Sequence, residues 1–227
     1  MKKIFVLLFL ATAFVYGQSC KIENLKGDVK AQIGTSEKWL PVKKGQELSV
    51  DAVISTGKNS FVKIDVKDSK LMLKSFSALK LSNIKKMTVN DLILALAMED
   101  MLNAPKKKEN TNSKNTAVYG AEVNGIKTPM VESDDFGIKR LNGAVQLAEN
   151  GFKESAVVDA KETFRKYPET NNLTSYRIFF ANILFDLGLN EDAYDDFKSI
   201  EPLKLTGEEK SEVQTKLDVL AKKLLKN

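Results

Sequence analysis

The 227-residue chain contains no histidine and only one cysteine. The absence of histidine excludes every mechanism that needs an imidazole, including Ser-His-Asp and Cys-His nucleophile pairs and histidine-ligated zinc or haem. A single cysteine excludes a disulfide within the chain and a cysteine metal cluster. These absences predict a protein that is not an enzyme, holds no metal and needs no cofactor.

Strong net charge is absent as well. Lysine and arginine total 35 against 30 acidic residues, which gives a net charge of +5. Removal of residues 1–19 as a leader takes away two lysines and leaves 33 − 30 = +3. This charge is too small to indicate a nucleic-acid partner. The apolar fraction of 43% suffices for hydrophobic cores, and the length allows one or two domains.

The first nineteen residues have the layout of a secretory signal peptide. Met1-Lys2-Lys3 gives a positive start, and Ile4–Tyr16 is an almost unbroken apolar run that small and polar residues follow. The run is shorter than the roughly 20 residues that a membrane-spanning helix needs. The pattern predicts an exported protein.

Two processing sites remain open. Small residues before the cut favour ordinary cleavage after Gly17, which leaves Gln18 at the new terminus. Ser19-Cys20 resembles instead the end of a bacterial lipobox, in which Cys20 would carry a lipid anchor to the membrane. In the first alternative the Cys20 thiol is a small apolar core group.

Short apolar alternations broken by turn residues run through the first folded region, residues 22–104. Val62, Ile64 and Val66 alternate with charged residues, at the period of two that a half-buried strand requires. Further short strands are predicted at 29–33, 48–54, 71–73 and 79–81. Closely spaced short strands favour an antiparallel roll or sandwich.

The spacing of residues in this region resembles the FecR domain. Gly27-Asp28-Val29 matches the Gly-x-Val that opens the family pattern, and Trp39–Gly45 matches its aromatic-x-Pro-aliphatic-x-x-Gly. Thr56-Gly57 and Ser60-Phe61 follow its Thr-Gly-x-x-Ser strand entry. The resemblance covers residues 22–81 and implies a β-rich extracytoplasmic module. It also implies, as an alternative function, a component that signals to sigma factors.

Trp39 is the only tryptophan and is predicted to plug the β core, with ligand or partner binding as the alternative. A helix is predicted at 91–102, with Asn90 as its cap, and Pro105 ends it. Apolar residues surround most of this helix, so it needs cover from the sheet or from a partner. Residues 105–135 are predicted as a polar linker, with or without one added strand.

From residue 136 to residue 227 the hydrophobic period becomes helical. Gly151 is followed after five residues by Ala156, and Gly188 is followed in the same way by Ala193, at an offset of 188 − 151 = 37 residues. This internal repeat predicts two stacked helical hairpins. Thr206-x-x-Glu209 is a capping-box signal that opens a last amphipathic helix.

The two hairpins resemble tetratricopeptide (TPR) units, which have a glycine at the turn, a small residue early in the second helix and a proline at the exit. The resemblance implies an all-α domain that binds peptides or other proteins along a groove. Four helical aromatic residues are candidates for lining that groove: Phe179, Phe180, Phe185 and Tyr194.

Together these patterns predict a multidomain α+β protein, with an N-terminal FecR-like roll or sandwich and C-terminal TPR-like hairpins. We expect an exported, non-enzymatic protein of the bacterial envelope, in the periplasm or at the outer membrane, that binds or scaffolds partner proteins. The linker would allow each module to bind separately. Peptidoglycan or another glycan bound around Trp39 is a further alternative, and no nucleic-acid partner is expected.

Overall fold

The computed structural model describes residues 19–66, 69–103, 121–123 and 126–225. The predicted leader up to residue 18 and the most polar part of the predicted linker, residues 106–115, lie outside these residues. Eight strands come first and form two four-stranded antiparallel sheets, and six α-helices follow. The coarse α+β, two-part architecture is therefore confirmed.

The first sheet has the strand order β4-β1-β6-β7 and the second has the order β3-β2-β5-β8. The strands are β1 (Ser19–Lys26), β2 (Val29–Gln32), β3 (Leu40–Pro41), β4 (Glu47–Ser49), β5 (Val53–Thr56), β6 (Phe61–Val66), β7 (Ser69–Leu73) and β8 (Ala78–Lys80). In β6 the side chains of Val62, Ile64 and Val66 are buried, as their alternation predicts. The buried faces of both sheets belong to one hydrophobic core. We call residues 19–81 the β region.

The single strand predicted at 48–54 is wrong, because two strands occupy this stretch. The chain turns after β4, where the N–H of Ala52 donates to the carbonyl oxygen of Ser49 at 3.0 Å. This turn moves the chain from the first sheet, which contains β4, to the second sheet, which contains β5. Leu48 and Ile54 are both buried, one on each sheet.

The helices are α1 (Val89–Asn103), α2 (Phe136–Glu149), α3 (Lys153–Lys166), α4 (Thr174–Asp186), α5 (Asn190–Ile200) and α6 (Gly207–Leu224). A short hairpin of β9 (Ala121–Val123) and β10 (Ile126–Thr128) lies between α1 and α2. The cap predicted for α1 is wrong by two residues: Thr88, and not Asn90, exchanges hydrogen bonds with Asp91. Thr88 is the better cap because its hydroxyl accepts from the N–H of Asp91 at the first turn.

The hairpins form as the repeat predicts. Gly151 and Gly188 have φ of 87° and 79° at the two turns, a left-handed conformation that glycine adopts without steric cost. α2 packs on α3, α4 packs on α5, and α6 packs on α5 at the end of the stack. The capping box between Thr206 and Glu209 is present at the start of α6.

The helices dock directly on the β region through polar side chains of α2. Asn142 Nδ2 donates to the carbonyl oxygen of Phe76 at 2.6 Å, and the N–H of Lys74 donates to Gln146 Oε1 at 2.5 Å. Gly143 lies between these two side chains, where α2 passes so close to β8 that a Cβ would lie 2.1 Å from the carbonyl oxygen of Ala78. The β region and the helices are therefore in direct contact through α2.

Candidate partner-binding site at the junction of the two regions

The four helical aromatic residues predicted to line a groove are buried or half-buried in the structure. Phe179 and Phe180 are 8% and 2% exposed and belong to the core of the helices. Phe185 is half-buried, and two lysines of α6 cover its ring, with the Nζ atoms of Lys216 and Lys223 4.0 and 4.3 Å from the centroid. Tyr194 is half-buried and packs against the same core.

Cys20, the lipidation candidate, lies in β1 with a fully buried side chain. Burial raises the pKa of its thiol to about 11. The residue pairs with Leu48 of β4, and its neighbour Ile22 is buried in the same face. A lipid on this sulfur would require the start of β1 to leave the sheet, so the geometry favours the core-residue alternative.

Trp39 lies at a cleft of about 470 Å³ between the β region and the start of α2. Its ring contacts the ring of Phe136 edge to face, with the centroids 5.6 Å apart. Phe136 contacts Tyr167 in the same way at 5.8 Å. We call this site the junction cleft and use the name for the space lined by Asp28, Lys30, Trp39, Asp134, Phe136 and Lys139.

Charges of both signs flank the aromatic pair. Lys30 forms an exposed ion pair with Asp28 at 3.0 Å. Lys139, whose side chain is only 13% exposed, forms an ion pair with the exposed Asp134 at 2.8 Å. The hydrogen bond from Lys139 holds the pKa of Asp134 below its ordinary value. The exposed Asp28–Lys30 pair contributes little to folding stability, so these two groups can exchange partners with a ligand at low cost.

The sequence positions the aromatic wall of the cleft through a helix cap. Asp135 Oδ1 accepts from the N–H of Ile138 at 3.0 Å, which starts α2 at Phe136 and directs the chain against the β region. Sequence reasoning identified Trp39 but missed Phe136 and Tyr167. The capping residue Asp135 marks the start of α2 in the sequence. Nothing in the sequence indicates that the first residue of this helix, Phe136, contacts Trp39.

The polar residues of the FecR-like turns hold the opposite wall. Ser60 Oγ accepts from the N–H of Asp28 at 2.8 Å and donates to the carbonyl oxygen of Lys58 at 2.9 Å. Thr56 Oγ1 donates to the carbonyl oxygen of Lys74 at 2.6 Å. Both hydroxyls are occupied by backbone groups and are buried, as expected of structural residues rather than of nucleophiles.

A second cavity of about 240 Å³ lies on the helices, between α3, α4 and α5. Its lining includes Lys161, Phe164, Arg165, Arg177, Phe180 and Asp196. Asp196 binds Lys161 at 2.5 Å, whereas the guanidinium of Arg177 donates to the hydroxyl of Ser199 at 2.6 Å. Burial lowers the pKa of Arg177, and the charge of Asp196 opposes this effect.

The sequence repeat also carries a charged pair that sequence reasoning missed. Arg140 and Asp159 of the first hairpin correspond, at the same offset as the two turn glycines, to Arg177 and Asp196 of the second. In the first hairpin the two side chains form a buried ion pair, and Asn83, in the turn that follows β8, also donates to Asp159 Oδ1 at 2.8 Å. Extending the glycine offset to charged residues would have found both pairs.

Within the described ranges, no three histidine, cysteine, aspartate or glutamate side chains come together as metal ligands. In the same ranges, no helix has the length and apolar character needed to cross a membrane. Comparison of the chain with protein-family models, with curated proteins and with solved structures gave no match.

Proposed function

We propose that this protein is an exported, non-enzymatic binding protein of the bacterial envelope that holds a segment of a partner protein in the junction cleft. The observation that carries the proposal is that both regions are needed to form the site. Trp39 comes from the β region and Phe136 from the start of α2, and their rings meet at 5.6 Å. Clefts between two packed regions are frequent binding sites.

The composition of the cleft fits a protein ligand. Aromatic side chains, above all tryptophan and tyrosine, are enriched among the residues that contribute most to protein interfaces. The ion pairs Asp28–Lys30 and Asp134–Lys139 surround this centre, in the arrangement of a polar rim around an apolar core. A partner segment with one large apolar side chain and charges of both signs would complement these groups.

The sequence resemblances are compatible with this proposal. A FecR-like β region and TPR-like hairpins, together with the predicted leader, imply a protein that acts outside the cytoplasm, in the periplasm or at the outer membrane. We propose that the helices hold the β region in place, since the hydrogen bonds of Asn142 and Gln146 fix α2 against it. The partners are then envelope proteins and not nucleic acids.

Site-specific photo-cross-linking in intact cells tests the proposal. A benzoylphenylalanine at Leu40, which is 53% exposed and adjacent to Trp39, should give a discrete protein adduct that mass spectrometry identifies. The same group at Leu225, which is 87% exposed at the end of α6, is the matched control. We expect at least tenfold more adduct from Leu40, and a loss of at least fivefold when Trp39→Ala is added.

The outcomes distinguish the proposal from its alternative. An adduct that survives Trp39→Ala in a folded protein, judged by circular dichroism, contradicts a role for the cleft. Binding of a glycan is the second candidate, because the carboxylates of Asp28 and Asp134 beside an aromatic ring also suit a sugar. Sedimentation with purified peptidoglycan that Trp39→Ala abolishes, without any protein adduct, would assign the cleft to that second function.

A further inference from the structure

The helix α1 is apolar on two opposite faces, and the residues that the structure describes cover only one of them. Leu92 and Leu96 are buried where α1 packs against α3. On the other side, four large apolar residues are between 58% and 79% exposed. We call this set the outer face of α1: Leu94, Met98, Met101 and Leu102.

The outer face is large for a protein surface. With those exposed fractions, the four side chains offer on the order of 500 Å² of apolar surface, in the upper part of the range for the largest patch of a soluble monomer. Leu94, Met98 and Met101 are spaced by four and three residues, which places them in one stripe along the helix. A stripe of this kind fits the side of another helix.

Two features of the chain narrow the choice of what covers this stripe. The segment directly after α1, residues 104–116, has no large apolar side chain to offer. The charged residues of α1 are all acidic, and one of them, Glu99, is already bound to Arg165 at 2.7 Å. An acidic helix is repelled by anionic lipid, so a membrane surface is a poor fit.

We propose that the outer face of α1 binds the same face of a second copy of this chain, with the two helices antiparallel and a two-fold axis at Met98. Two copies would bury on the order of 1,000 Å² in total, about the least that a specific interface needs. The stripe extends from Leu94 to Leu102 with Met98 at its centre. A two-fold axis at that point therefore places apolar side chains of each copy on those of the other.

Charge selects the antiparallel arrangement. Asp91 is the acidic residue that lies beside the stripe, seven residues before Met98. An antiparallel pair centred on Met98 separates the two Asp91 carboxylates by about 20 Å along the axis, which is more than the Debye length of about 8 Å at physiological salt. A parallel pair would bring the two carboxylates side by side. This inference does not depend on the junction cleft.

Sedimentation velocity at protein concentrations between about 1 and 100 µM tests the proposal. The sample is the full chain, purified in the form that cells accumulate. The wild type should form dimers in this range. Met98→Glu brings two carboxylates together at the axis and should weaken dimerisation at least 30-fold. Met72→Glu is the matched control: Met72 lies on β7, is 39% exposed and should change the dissociation constant less than threefold.

A cross-link locates the axis independently. With Cys20→Ser, which removes the natural thiol, Met98→Cys should form a disulfide dimer under mild oxidation at least tenfold faster than Met72→Cys. A wild type that stays monomeric at 100 µM overturns the proposal. So does a dimer that Met98→Glu leaves intact, or a Met98→Cys protein that oxidises no faster than the control. Trp39→Ala should leave the dimer unchanged, so failure at the cleft and failure at α1 are distinguishable.

Discussion

The two helical hairpins share one sequence pattern but place its charged pair in different surroundings. In the first hairpin Arg140 and Asp159 bind each other, with side chains 7% and 0% exposed. In the second hairpin the corresponding residues are Arg177 and Asp196, and Asp196 instead binds Lys161 of the first hairpin at 2.5 Å. The first pair lies within one hairpin, with Asn83 as a further donor to Asp159. In the second hairpin Asp196 joins neighbouring hairpins, and both Arg177 and Asp196 line a cavity.

The difference arises from what each first helix touches. α2 lies on the β region, and its polar residues Asn142 and Gln146 bind the turn between β7 and β8. At the corresponding positions α4 has Phe179 and Ile183, which are buried in the apolar core of the helices. The repeat therefore encodes the hairpin geometry, and the departures from the repeat encode where each hairpin docks.

The largest expected difference between the two hairpins is the loss in free energy of unfolding when the carboxylate of each is removed. Asp159→Ala leaves the Arg140 guanidinium buried without its main partner, which typically costs about 3–5 kcal/mol. Asp196→Ala removes a partly exposed ion pair with Lys161 and should cost about 1 kcal/mol or less. Urea unfolding followed by circular dichroism at 222 nm measures both free energies of unfolding.

A second carboxylate near Arg140 provides an alternative result for Asp159→Ala. Glu162 lies with Oε2 3.7 Å from Arg140 Nη2 and is available to replace Asp159. If Asp159→Ala costs no more than Asp196→Ala, this carboxylate compensates, and burial does not distinguish the two hairpins. Asp159→Asn keeps the shape of the side chain, so its comparison with Asp159→Ala separates lost charge from lost packing.

The second prediction concerns the close approach of α2 to the β region. In Gly143→Ala the new Cβ would lie 2.1 Å from the carbonyl oxygen of Ala78, so α2 must move away from β8. Overpacking of this kind costs about 1–3 kcal/mol. At the corresponding position the second hairpin has Phe180, and α4 packs against the helices α3, α5 and α6.

The control for Gly143→Ala is a helical glycine with free space around it. Gly207, at the start of α6, has no atom within 4 Å of a Cβ. Gly207→Ala should be neutral or stabilise the protein by up to about 1 kcal/mol through helix propensity. If the two substitutions change the free energy of unfolding equally, α2 can move away from β8 without cost. The contact between α2 and the β region would then be weak.

Much of this fold could be predicted from the sequence because local patterns determine it. The alternation at Val62, Ile64 and Val66 and the glycines at the hairpin turns gave the strands and helices. The pairing of strands into sheets and the break between β4 and β5 depend on contacts between distant residues. Such contacts leave no local signal, so the strand expected at 48–54 was one element too few.

The candidate site was less predictable than the fold. Trp39 stood out because it is unique, but its neighbour Phe136 lies almost one hundred residues later in the chain. The helical aromatics were chosen for their residue type, yet residue type does not distinguish a core phenylalanine such as Phe180 from an exposed one. Apolar residues around most of α1 predict a helix that needs cover from the sheet or from a partner, and in the structure α3 covers one side of it.

The last prediction concerns a hydrogen bond that links the hairpins. The Tyr176 hydroxyl, on α4, donates to Asn142 Oδ1 at 2.5 Å and accepts from the N–H of Val131 at 3.0 Å. Tyr176→Phe removes both bonds. Val131 retains a hydrogen bond to Asn142 at 3.2 Å, so the free energy of unfolding should fall by only about 1 kcal/mol.

The pH dependence of that loss tests whether the hydroxyl is buried as described. Burial raises the pKa of Tyr176 above its ordinary value of 10.0, so the folded state keeps this proton when the unfolded state loses it. The stabilisation by Tyr176 is therefore complete below about pH 10 and declines as the pH rises further. We expect the deficit of Tyr176→Phe to be constant from about pH 7 to 9 and to shrink above about pH 10. A deficit that stays constant to about pH 11 would mean that the hydroxyl reaches solvent, and that the two hairpins are not joined through Asn142.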